Sequence, residues 1–130
     1  MIQINVMAVI VAGVVAWVIG ALWYSSLLFG KQWMQLANLK DTKPNPATFI
    51  VGLLTYIVMA YVLAHVLGAY NSTTVMAGLQ GGFWTWLGFV ATITLGSVLY
   101  EQKPLALYIL NNAYNLISFL VMGVILAVWK

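Results

Sequence analysis

The chain has 130 residues, of which 64% are hydrophobic and 5% charged, with five lysines against two acidic residues for a net charge of +3. A globular chain carries roughly 25% charged residues, so these few cannot clothe a soluble domain, whereas a lipid-facing surface needs none. The composition points to an integral membrane protein, and the lack of cysteine excludes disulfides, thiolate zinc sites and cysteine nucleophiles.

Four apolar runs are long enough to cross a hydrocarbon core, which takes roughly 20 helical residues. They cover about 4–29, 46–67, 74–100 and 104–129 of the chain. The first, containing VMAVIVAGVVAWVIGALW, does not alternate as a barrel strand would. The start MIQINVMAVI lacks the positive segment of a secretory signal peptide, so this run reads as a retained helix. Gly30 is suited to ending it, with Lys31 and Trp33 at the interface, while Ser25 and Ser26 can bond back to the preceding turn. A long connection follows (GKQWMQLANLKDTKPN), and Asn45-Pro46 then reads as a cap with Pro in the first turn. Gly68 is placed to end the second helix, and Asn71, Ser72 and Thr73 offer caps for the third. The short loop there predicts that the second and third helices are antiparallel neighbours. Pro104 opens the fourth helix after the equally tight EQK.

Lys31, Lys40, Lys43 and Lys103 fall on one side of this arrangement, and only Lys130 and the terminal amine on the other. Excess lysine marks the cytoplasmic face, which places both termini outside. The same scatter of lysines at span ends argues against nucleic acid as a partner.

On the third helix Gly78, Gly81, Thr85, Gly88, Thr92 and Gly96 fall within about 80° of arc at 100° per residue. Small residues let membrane helices approach closely, so this reads as a packing seam; room for a pore or ligand is the alternative. On the first helix Gly13, Ala16 and Gly20 share a side with Trp17 and Tyr24, predicting glycine notches that receive aromatic rings. The fourth helix gathers Tyr108, Asn111, Asn112, Asn115 and Ser118 within about 120°. Three carboxamides cannot face hydrocarbon without losing their hydrogen bonds, so they must meet other helices or water. They form either an interhelical network or a polar track for water, an ion or a small solute.

His65 is the only histidine, near the end of the second helix, and lacks the companions of a metal site. The acidic residues are Asp41, in the long connection, and Glu101, at the end of the third helix. No nucleophile–base pair, phosphate-binding loop or metal-ligand cluster stands out, and Gly81-Gly82 follows no strand. No enzymatic activity, cofactor, metal or nucleotide is therefore expected.

The stretch GALWYSSLLFGKQWM (Gly20 to Met34), with AYVLAH, WLGFVAT and NNAYNLISFLVMGVIL, resembles domain-of-unknown-function family 1761 over nearly the whole chain. The resemblance implies a small, mostly bacterial, four-helix membrane protein and no particular mechanism. Relative to that pattern, Ser26 stands where a proline is usual and Asn115 where a histidine is frequent.

The sequence thus predicts an all-α, four-span bundle in a bacterial inner membrane, self-associating through the small-residue seam. Its expected role is a structural or interaction module, the alternative being a pore or facilitator for a neutral or weakly charged solute.

Overall fold

A computed structural model of the chain describes residues 2–39 and 45–130, and these contain helices and turns but no strand. Lys40, Asp41 and Lys43 lie outside the described residues. The helices are α1 (Val6–Trp23), the short α2 (Gly30–Leu36), α3 (Pro46–Ala69), α4 (Val75–Leu99) and α5 (Leu105–Val128). All but α2 are long and apolar enough to cross a membrane. A helix of 24 residues, such as α3 or α5, reaches about 36 Å, more than a hydrocarbon core of about 30 Å.

Local chemistry sets the helix ends. Asn5 caps α1 by accepting from the Ala8 N–H at 3.2 Å, and Asn45 caps α3 by accepting from Thr48 N–H at 2.9 Å with Pro46 in the first turn. The cap of α4 is Thr74, which accepts from Ala77 N–H at 3.1 Å, rather than any of residues 71–73. Asn71, not Gly68, reverses the chain after α3. It takes φ 52°, its N–H donates to Gly68 O, and Ser72 N–H reaches Leu67 O at 2.9 Å. This is a Schellman closure with asparagine in the left-handed position. Asn38 ends α2 in the same way, at φ 58° with Leu39 N–H on Met34 O.

The first apolar run is not one helix to residue 29. Helix α1 stops at Trp23, because the Ser25 hydroxyl donates to Leu22 O at 2.7 Å and the chain folds into a turn. That turn is held by Phe29 N–H on Trp23 O and Gly30 N–H on Ser25 O. Gly30 therefore starts α2 instead of ending α1. A Cβ there would lie 2.6 Å from Tyr24 O and 2.7 Å from Ser25 O, so the close turn requires glycine.

Helix α5 is the centre of the bundle and packs against α1, α3 and α4, most extensively against α4. Helix α1 also packs along α3. The core joins Ala8, Val9, Ala12 and Ala16 of α1, Ala60, Leu63, Ala64 and Leu67 of α3, and Phe119, Met122 and Leu126 of α5. The alanines allow close approach, and at Gly13 a Cβ would lie 2.8 Å from the Ile57 Cα on α3. Despite their short connection, α3 and α4 touch far less than α4 and α5 do. The reason is a backbone crossing where Gly78 and Gly82 of α4 meet Gly123 and Phe119 of α5 so closely that no Cβ fits.

Candidate functional site

The polar face of α5 meets the second half of α4, where the helix loosens. Residues Trp86–Ala91 adopt π-helical pairing and a further break occurs at Leu95. Such bulges leave carbonyls underused, and hydroxyls fill the gaps. Thr92 Oγ1 donates to Gly88 O and Thr94 Oγ1 to Val90 O, each at 2.7 Å, and Ser97 Oγ donates to Thr94 O at 2.8 Å. From α5, the Tyr108 hydroxyl donates to Ala91 O at 2.7 Å.

Asn112 ties the two helices together. Its Nδ2 donates to Thr94 Oγ1 at 3.0 Å and to Tyr108 O at 3.2 Å. A backbone carbonyl only accepts, so the nitrogen of the carboxamide must face that way. Both N–H groups are then used, and Oδ1 is buried without a partner. Asn111 turns toward α1 and accepts from the Tyr24 hydroxyl at 2.7 Å. Ser118 is fully buried beside the Tyr114 hydroxyl, yet its Oγ makes no well-formed hydrogen bond.

These groups border a cavity of about 560 Å³. Thr94, Ser97 and Ile93 form its α4 wall, and Tyr24 and Trp33 its wall on the α1–α2 side. Tyr108, Asn111, Asn112 and Asn115 form the α5 wall, and Glu101 and Lys103 stand exposed at the mouth. Tyr24 and Trp33 meet edge to face at 4.9 Å. The cavity reaches Asn115, about 15 Å along α5 from its first residue. Beyond it on the same helix Ser118, Phe119 and Met122 are buried, and a space of about 10 Å³ bordered by Gln3, Asn5, Trp129 and Lys130 lies at the far end of the bundle. The cavity is thus lined from Glu101 and Lys103 as deep as Asn115, and Ile93 of its α4 wall is itself exposed.

The sequence-predicted polar face therefore divides. Tyr108, Asn111, Asn112 and Asn115 line the cavity, while Ser118 lies in the packed interior. The small-residue stripe divides as well. Gly78 packs against Gly123, Gly81 lies against Leu67 of α3, and Thr85 donates to Gly81 O at 2.7 Å. A Cβ at Gly88 would meet no neighbouring group within 4 Å, Thr92 is exposed, and a Cβ at Gly96 would meet the Tyr100 ring at 3.8 Å. Gly82, outside the predicted arc, is the buried companion of Gly78. The π-helical segment explains the second half of this split: one extra residue per turn rotates everything after it by about 100°.

His65 is far from the cavity. Its Nδ1 is 2.9 Å from Tyr61 O, which can only accept, so Nδ1 carries hydrogen there; the ring meets Tyr61 edge to face at 4.6 Å. No cluster of three His or acidic side chains suited to a metal occurs among the described residues. Sequence reasoning missed Tyr24, Trp33, Thr94 and Ser97 as neighbours of the asparagines. The hydroxyls of α4 at positions 92, 94 and 97 were the available signal, since they serve the loosened backbone opposite Tyr108.

No curated protein and no solved structure matches the chain. A family model does match, over residues 7–127, so that the chain belongs to the family described as protein of unknown function (DUF1761).

Proposed function

We propose that the protein is a multi-pass membrane protein that takes a small polar solute of no net charge into this cavity from the Lys31 and Lys103 face. The observation that carries this reading is the polar cavity itself, lined from Lys103 to Asn115. Its walls gather all three asparagines of α5 with Tyr24, Tyr108, Thr94 and Ser97, a set of neutral donors and acceptors at a volume usual for ligand sites. Polar side chains within apolar helices are costly unless something meets them. Large apolar side chains exposed along the helices, such as Val58, Phe89 and Ile93, support a lipid surround. The lysine bias supports placing the mouth on the cytoplasmic side of a bacterial inner membrane, with both termini outside. Carboxamides, hydroxyls and phenols support binding or facilitated passage rather than catalysis.

A second reading, self-association as a structural module, is favoured by α4, the least covered of the four long helices, whose Gly88 and Thr92 lie open. Cross-linking in native membranes tests it: a dimer or larger species is expected, and a strict monomer contradicts it.

The solute reading is tested with Ser97→Cys, a conservative reporter on the cavity wall in a chain with no other cysteine. Small polar solutes should slow its alkylation by N-ethylmaleimide in a concentration-dependent, saturable manner. Rapid alkylation that no solute slows would rule the reading out.

A further inference from the structure

The described part of the chain carries four charged side chains, Lys31, Glu101, Lys103 and Lys130, and two of them border the same cavity. Glu101 is the sole acidic side chain among the described residues. The two lie either side of Gln102, which takes φ 58°, and Lys103 N–H bonds back to Ser97 O at 3.0 Å. With Gln102 in this left-handed conformation, both flanking side chains border the cavity at its mouth. Among the described residues neither Glu101 nor Lys103 forms an ion pair, although they are two positions apart. The mouth thus presents one positive and one negative group, each open to a partner, above a floor of neutral carboxamides.

We infer that the occupant of the cavity is a zwitterion, with its ammonium at Glu101 and its acid group, carboxylate or phosphate, at Lys103. This rests on the reading of the cavity as a solute site and names the chemistry of its ligand. A cation alone gains Glu101 but meets Lys103, and an anion alone gains Lys103 but meets Glu101. A solute carrying both charges satisfies both, and its net charge of zero suits the uncharged interior. The aromatic walls agree, since Tyr24, Trp33 and Tyr108 line the cavity and aromatic rings attract an ammonium. Each rim contact is solvent-exposed and contributes about threefold in affinity, so the pair together gives about tenfold. Two sources share this chemistry: a free amino-acid-like solute and the headgroup of a zwitterionic phospholipid.

The test uses the full-length Ser97→Cys protein in nanodiscs of phosphatidylglycerol. Glycine and γ-aminobutyrate, which differ in the separation of their charges, are compared with methylammonium, acetate and glycerol as protectants against N-ethylmaleimide. At least one zwitterion should protect at about tenfold lower concentration than the singly charged or neutral probes. Glu101→Gln and Lys103→Gln should each cut that advantage to about threefold. Nanodiscs of phosphatidylethanolamine distinguish the sources: slowed alkylation without added solute, reversed by both substitutions, assigns the lipid headgroup and supports the inference equally. If glycerol protects as well as every zwitterion and the lipid has no effect, or if the two substitutions change nothing, the solute site stands and the zwitterion falls. If neither solute nor lipid protects, both fall.

Discussion

The Tyr114 hydroxyl of α5 sits in the notch left by Gly20 of α1 and donates to Ala16 O at 2.7 Å. A Cβ on Gly20 would lie 2.6 Å from that hydroxyl oxygen, so the glycine is what admits the ring. Around it Tyr24, Tyr56 and Trp23 stand at centroid distances of 5.6, 6.0 and 6.3 Å. The cluster lies close to the cavity, because Tyr24 belongs to both. Gly20→Ala should force Tyr114 out and cost about 1–3 kcal/mol, as overpacking does. Tyr114→Phe removes one interhelical bond and should cost about 0.6–1.7 kcal/mol. Unfolding in mixed micelles measures both, and Gly20→Ala should be the more damaging.

The two ends of the glycine stripe on α4 should respond in opposite ways. A Cβ on Gly78 or Gly123 would overlap the facing backbone carbonyl, which cannot move aside as a side chain can. Gly123→Ala should therefore destabilise by at least about 1–3 kcal/mol. Gly88→Ala meets no neighbour and replaces a flexible residue, so it should be neutral or stabilising by up to about 1 kcal/mol. The same unfolding assay checks the pair.

Tyr108→Phe should loosen α4 locally. The lost bond to Ala91 O leaves that carbonyl with the long 3.3 Å contact from Leu95 N–H, next to the π-helical segment. Amide hydrogen exchange across residues 86–95 should rise by about fivefold for each kcal/mol lost, with the far end of α3 around His65 unchanged. A uniform rise across all helices would indicate global destabilisation instead.

Much of this architecture was legible in the sequence, and the exceptions share a physical cause. Composition and run length gave four long apolar helices, and Asn45-Pro46 and Pro104 marked helix starts because capping depends on neighbours only. The inward placement of Asn111, Asn112 and Asn115 followed from the cost of facing hydrocarbon with a carboxamide. Departures arose where the backbone left the regular helix. Ser25 folds residues 24–29 into a turn, so the first helix is shorter than its apolar run. The π-helical segment broke the assumed 100° per residue, which is why Gly88 and Gly96 are not in the α4–α5 contact that Gly78 begins. Asn71 and Gln102 adopt left-handed conformations that their residue types do not announce as glycine would. The partnership of Tyr24 with Asn111 joins positions 87 apart, a separation that no local pattern encodes.

The central claim, a polar cavity reaching from Lys103 to Asn115 with a packed interior beyond it, is tested most directly by thiol accessibility in sealed vesicles. The chain lacks cysteine, so each single-cysteine variant reports one position. A membrane-impermeant methanethiosulfonate should modify Asn115→Cys from the Lys103 face and not from the Asn5 face, and should leave Met122→Cys unmodified from both. Asn115→Cys inert from both faces, or Met122→Cys modified from the Asn5 face, would contradict the account.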